Sequence, residues 1–531
     1  MAVLLALLCC TVLFGGCKQS EGLTMPSHQP EETFAPNSAE MRMRTELRLA
    51  IPMSETSAAP YSVTSYKTQN ILNLVYESPV ALDAFGKPQP YLFETWEINA
   101  DGTVTFSVRK NVRFHGGEAL TCAHIAETLR KIRMDGAESM YSYVMDFVES
   151  WQLSTDALQI TLIPLRGVYP MLMSLTFPVI NSIDSTGTGP FALETFREGE
   201  GMRLVRSDNW WRIPPKIESI SIRALKDDSA QIESLLSGEI DLVYTRDTGM
   251  SAYRSSRKLD LASVRSNTFE FVSLNLNNET FKNLRFKQAI LHAIDKKDIT
   301  ANVYQGAAVI SDTPVPADSW LHSGTAQADR FNLERSKSLL SDMGYSDRNA
   351  DGYLDTSPQD STPLTLKLVT NSDTNSALHL DAARRVERQL GEVGIKVEIH
   401  VLEMAGLMTV LESGDFDMAY LGCAVDAAPR LDDFFATGGA LNFGGYSNPQ
   451  MDSLVSQMLQ AKTQPEFLSA VTQIEHLALS DSPIIGICYK NNSVLKRKDL
   501  SGLGALRSEN IYTNIDEWTL GAEGDAGDDN G

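Results

Sequence analysis

The chain has 531 residues, 43% hydrophobic and 21% charged, with 68 acidic side chains against 46 basic ones and a net charge of −22. Its length exceeds one ordinary core of about 100 to 200 residues, so two or three domains are expected. The acidic balance repels phosphate backbones and argues against a nucleic-acid partner, and with no long apolar run beyond the first residues the composition reads as globular.

In chain order, residues 3–14 are uncharged and apolar, and Gly15, Gly16 and Cys17 follow. The run is shorter than the roughly 20 residues that span a bilayer, and the small residues before Cys17 suit a signal peptidase. Residues 1–16 are therefore expected to be a lipoprotein signal peptide, with Cys17 the lipidated residue. Residues 17–43, polar and Pro-containing, read as a flexible linker.

Leu47, Leu49 and Ile51 alternate as a strand over residues 46–51, followed by a polar loop from Pro52 to Tyr61. Ile71, Leu72, Val75 and Tyr76 form an apolar stripe that predicts a helix over residues 70–80. Trp96, Ile98, Val104, Phe106 and Val108 alternate around Asn99-Ala100-Asp101-Gly102, which is turn chemistry between two strands. Thr121 is an N-cap candidate for a helix over residues 122–133.

Further on, Asp347, Asn349, Asp351, Gly352 and Asp355 match the first half of a calcium loop, but position twelve is Pro358. The segment is expected to be an Asp/Gly-rich surface turn. Leu364, Leu366 and Leu368 alternate as a strand. Ala383, Val386, Leu390 and Val393 sit at helical spacing before Gly394, and Ile395, Val397, Ile399 and Val401 alternate again. This predicts a β-α-β unit with parallel strands, and the loop from Thr370 to Asp373 at a strand's carboxyl end faces a candidate cleft. Arg384, Arg385 and Arg388 read as a solvated helix face paired with Glu387 and Glu392. The tail, residues 521–531, is acidic and Gly/Ala-rich and is expected to be disordered.

Chemistry-bearing motifs are absent. Cys122, Cys423 and Cys488 are too few and too far apart for a disulfide framework. No CxxC, HExxH, GxSxG, P-loop or GxGxxG occurs, so no metal, cofactor or catalytic residue is expected.

A series of phrases nevertheless follows a recognisable order: Tyr76-Glu77-Ser78-Pro79-Val80, Glu94-Thr95-Trp96, Asp101-Gly102, Phe114-His115-Gly116-Gly117-Glu118, Gly187-Thr188-Gly189-Pro190-Phe191, Asn209-Trp210-Trp211, Leu235 to Asp241, Phe281 to Asp295, and Phe443 to Pro449. Over residues 45–510 the chain resembles the family 5 extracellular solute-binding proteins of peptide and nickel ABC importers. The resemblance implies an α/β, two-lobe periplasmic-binding-protein fold of the cluster C type, with no enzymatic activity and no cofactor. Lobe 1 would comprise residues 44–266 and 483–520, with an extra subdomain near 71–180, and lobe 2 residues 267–482. Two chain crossings, near Val272 to Asn275 and Ser482 to Tyr489, would form the hinge.

The implied role is to capture a short peptide in the interlobe cleft and deliver it to membrane permease subunits, as a lipid-anchored monomer outside the cytoplasmic membrane. A nickel chelate or other small solute, and a peptide sensor without transport, are the alternatives. The segment from Tyr420 to Pro429 is similar to the one in which peptide-binding members place an aspartate against the ligand's α-amino group. That makes Asp426 the anchor and Gly422 and Ala424 main-chain partners, with Cys423, Asn442 and Tyr61 as further lining residues. The chain departs from the family in carrying Cys423 where many relatives have Trp and Tyr420 where some have Arg.

Overall fold

Two long strands, Leu259–Leu274 and Ile484–Arg497, run antiparallel to one another and tie the molecule together. The computed structural model describes residues 44–521 apart from 64, 326–330, 358–359 and 372–377, and for 248, 357 and 360 the backbone alone. The expected signal peptide, Cys17, the linker up to residue 43, and the tail beyond Gly521 lie outside the described residues, as do Ser372 and Asp373 of the Thr370–Asp373 loop. Among the described residues no helix is long and apolar enough to cross a membrane.

The central sheet has the strand order Leu242–Thr245, Ile484–Arg497, Leu259–Leu274, Met418–Ala424, Thr365–Asn371, Lys396–Leu402. At one end Leu242–Thr245 pairs with residues 493–496, and at the other Met418–Ala424 pairs with residues 268–274. The ladder between the two long strands breaks register between Arg265 and Phe269, and again between Glu270 and Phe271. Bulges bend a strand and interrupt its pairing, so the ladder is broken between residues 265 and 271.

A separate four-stranded sheet, within the residues expected to form lobe 1, has the order Glu46–Pro52, Ser219–Leu225, Gly201–Arg206, Phe191–Arg197. The extra subdomain adds another: Phe93–Ile98, Val104–Val108, Gln159–Pro164, Val148–Leu153, covered by the helix Cys122–Asp135. Gly102, with φ +89°, makes the turn expected between the first two of these strands. Thr121 stands ahead of the helix, its amide donating to His124 Nδ1 at 3.1 Å.

The β-α-β unit forms as expected. Thr365–Asn371 and Lys396–Leu402 are parallel, joined by the helix Leu378–Gly391, and Gly394 turns the chain with φ +83°. One expected helix is displaced: it spans Tyr66–Leu72, not residues 70–80. The Ser65 hydroxyl accepts from the amides of Lys67 and Thr68, which fixes the start. Leu74 and Val75 leave the helix because their carbonyls accept from the amides of Phe191 and Gly189.

Subdomain and lobe 2 share one apolar cluster that runs from Phe93, Phe106 and Leu129 to Phe269, Phe271, Phe434 and Met451. The rings of Phe269, Phe271 and Phe434 lie 5.5 to 6.2 Å apart, in offset or edge contacts that favour aromatic packing. Close approach is enforced at Gly167, where a Cβ would lie 2.3 Å from the Leu459 carbonyl oxygen. The opposite face of the lobe 2 sheet carries a second core, including Phe286, Ile290, Val386 and Leu390.

Candidate functional site

Main-chain groups of alternate residues in a strand point the same way. In Met418–Ala424 and its continuation, the Val425 amide donates to Asn267 O at 2.7 Å, and the Tyr420 carbonyl on the other side accepts from Thr370 Oγ1 at 3.0 Å. Gly422 and Ala424 therefore turn their N–H and C=O away from Leu259–Leu274. On that side the ladder to Thr365–Asn371 ends with Leu368 against Met418 and Val369 against Ala419. Two residues' worth of strand edge is left open among the described residues.

Asp426 follows this edge. Its side chain is exposed to water yet has protein on most sides, the position of a group standing in a narrow cleft. It forms neither a hydrogen bond nor an ion pair among the described residues. Burial pushes its carboxyl up to about 6, against the pull of Arg430 and with further push from Glu509 and Asp146. Glu509 lies in the carboxy-terminal segment and Asp146 just ahead of the strand Val148–Leu153, both far from Asp426 along the chain.

Beside the edge lies a cluster that the sequence reading missed. Glu270, fully buried, has Oε2 3.0 Å from His379 Nε2 and Oε1 3.0 Å from Lys490 Nζ. Burial raises the Glu270 carboxyl, but His379 and Lys490 together outweigh it and hold the group below the usual carboxylate range. His379 Nδ1 is in turn 2.7 Å from Asn371 Oδ1. A Cβ at Gly422 would lie 2.7 Å from Glu270 Oε1 and 2.8 Å from His379 Nε2, so this cluster explains why glycine stands there. The signal was available: an acid in the apolar strand sequence Phe269-Glu270-Phe271-Val272 needs a partner.

The other named residues do not gather with Asp426. Cys423 is half-buried and its thiol is pushed up to about 12 by burial, with Glu270 adding to it. Asn442 spends its amide locally, donating to the carbonyls of Ala436 (2.9 Å) and Tyr446 (2.7 Å) and accepting from the Tyr446 amide (2.8 Å). Tyr61 is 8% exposed and packs in the lobe 1 interior, its hydroxyl near Thr128 Oγ1 (3.3 Å) and Pro178 O (3.4 Å).

Two surface expectations change in detail. Arg385 and Arg388 each lie 3.1 Å from Asp298, not against Glu387 and Glu392. In the Asp347–Asp355 turn, Asp347 accepts from the amides of Ala350 and Gly352, and Asp355 from that of Arg348. No group of three side chains able to hold a metal occurs among the described residues.

An α/β, two-lobed scaffold joined by a bulged ribbon is the fold of the extracytoplasmic solute-binding proteins. The model of the bacterial extracellular solute-binding proteins, family 5, matches residues 87–442, and the chain belongs to that family, whose members are non-enzymatic components of ABC transport systems. The chain is 22% identical to the oligopeptide-binding protein AppA of Bacillus subtilis over 79% of its own length and 81% of that protein's. It is 22% identical to the nickel-binding protein NikA of Staphylococcus aureus, covering 85% and 89% respectively. The solved structure of HbpA2 from Haemophilus parasuis superposes with a TM-score of 0.78 at 18% identity, over 90% of this chain and 99% of that one.

Proposed function

We propose that this chain is the substrate-binding lipoprotein of an ABC importer and that its cargo is a short peptide. Asp426 takes the peptide's α-ammonium, and the main chain of Gly422 and Ala424 extends the sheet onto the ligand by strand addition. The observation that carries this reading is the Asp426 carboxylate, which among the described residues has no hydrogen-bond or ion-pair partner and follows a strand edge left open there. A charge left so in a cleft is costly until an opposite charge arrives. Asn442 and Tyr61, whose polar groups are already engaged, shape the walls from behind, and Cys423 borders the edge. Cys17 anchors the protein by lipid at the outer face of the membrane, where closure of the lobes over the peptide is read by the permease.

Native mass spectrometry of the soluble form from Lys18 onward tests the cargo. A heterogeneous set of short co-purifying peptides, lost in Asp426→Ala, is expected. A single metal chelate or other discrete small molecule overturns the peptide assignment. Incorporation of labelled fatty acid that disappears in Cys17→Ser tests the anchor.

A further inference from the structure

We propose that a latch of crossed ion pairs keeps one end of the subdomain sheet shut on residues 430–467 whether or not cargo is bound, so that cargo-driven movement lies elsewhere, across the broken ladder between residues 265 and 271. The latch is independent of the identity of the cargo.

Asp146 stands just ahead of the strand Val148–Leu153 and Arg166 just beyond Gln159–Pro164. Val148 pairs with Pro164, so this acid and this base leave the sheet at the same end. Opposite them, 266 to 284 residues further along the chain, come Arg430, Asp432 and Asp433, at the helix Leu431–Phe435. The pairs cross. Arg166 Nη1 lies 2.6 Å from Asp432 Oδ2 and 3.4 Å from Asp433 Oδ1, while Arg430 Nη1 lies 3.0 Å from Asp146 Oδ2 and its Nε faces Asp433. Each side brings both signs, so sliding one past the other sets like charges together. Asp433 is buried, and water screens such pairs less than exposed ones.

Beside the charges the fit is close and apolar. Gly167 leaves no room for a Cβ against the Leu459 carbonyl oxygen, and the rings of Tyr169 and Phe467 stack with centroids 4.9 Å apart. The turn Asn99–Gly102 lies at the same end of the sheet, because Val104 pairs with both Ile98 and Leu162, and there Lys462 Nζ donates to Ala100 O at 2.5 Å. Parting the two sides returns Tyr169 and Phe467 to water. None of these contacts uses Asp426 or the main chain of Gly422 and Ala424, so none needs a ligand to form. The ribbon, by contrast, breaks register twice between residues 265 and 271, where bending costs no latch contact.

Electron–electron distance measurements on the intact protein test this, with spin labels at Gln152→Cys and Gln457→Cys, which are exposed on the two sides, and Cys423→Ser to keep other thiols out of reach. Protein as purified and protein emptied by mild unfolding and refolding are expected to give the same single distance. Arg166→Asp should shift most molecules to a longer one, and adding Asp432→Arg, which rebuilds the pair with its signs reversed, should bring the short distance back. A second, longer distance in the emptied parent overturns the latch. So does an Arg166→Asp variant that matches the parent, or a double variant that stays open. Thermal unfolding of the same samples shows that each is folded, and where Arg166→Asp does not fold, Arg166→Gln takes its place with the same expected shift and the same overturning result.

Discussion

Glu77 and Asp426 are both acids with protein on most sides, and the structure treats them in opposite ways. Glu77 is surrounded by donors: the indole N–H of Trp210 at 2.9 Å, that of Trp211 at 2.9 and 3.1 Å, the Thr188 hydroxyl at 2.8 Å, and Tyr91. Asp426 has none. Burial raises the carboxyl of each, but only at Glu77 do four neighbours work against it. A satisfied acid ties residues 76–80, the Gly187–Pro190 turn and the Trp210-Trp211 pair into one unit. In the proposed site Asp426 is the unsatisfied acid, and satisfaction rather than burial is what distinguishes the two.

Removing the scaffold acid should have the largest effect. Glu77→Gln turns an N–H group toward donors and orphans at least one indole, and it is expected to cost about 3 kcal/mol of folding stability. A urea midpoint unchanged within error would sink the contrast. Asp426→Asn should do the reverse: peptide affinity falls about fiftyfold, on the scale of losing one partner of a desolvated charge pair, while the fold survives. Calorimetry and thermal unfolding on the same sample check both halves.

The same carboxyl gives a pH signature. With a pKa near 6 in the empty cleft, Asp426 is ionised at pH 7.5 and mostly protonated at pH 5. A peptide ammonium needs the ionised form, so affinity should drop about tenfold between those values and stay flat in Asp426→Asn. For folding the sign is opposite. An acid whose folded pKa exceeds its unfolded one near 4 supports the fold while protonated, and that support fades as pH rises from about 4 to 6. Without ligand, Asp426→Asn should therefore unfold at a higher temperature than the parent at pH 7.5 and at the same temperature at pH 4. An unchanged affinity across this range would place Asp426 outside the binding step.

Local patterns made much of the scaffold legible. Alternation of Leu366, Leu368, Val397 and Ile399 around a helix with Val386 and Leu390 announced the parallel unit, because its faces are buried as the pattern requires. The start of the helix Tyr66–Leu72 was missed, because Ser65 caps it while Leu74 and Val75 are drawn off by pairing with residues 189–191, far along the chain. At the site, Asp426 was legible only through family likeness. Glu270, His379 and Lys490 come from segments separated by more than a hundred residues, and no local period relates them.

Tyr61 gives the smallest and most discriminating test, since it was read as a cleft residue and lies in the packing instead. Its ring is buried among lobe 1 side chains, and its hydroxyl sits 3.3 and 3.4 Å from its acceptors, longer than a well-formed O–H···O bond. Tyr61→Phe keeps the ring and removes only those long contacts, so the cost in stability should stay below about 1 kcal/mol. Peptide affinity should be unchanged within a factor of two, because the hydroxyl points to Thr128 and Pro178 and not toward Asp426. A tenfold loss of affinity would return Tyr61 to the cleft. It would also mean that the polar loop from Pro52 to Tyr61 rearranges when the lobes close on a ligand, since nothing in the present packing brings that hydroxyl to the open strand edge.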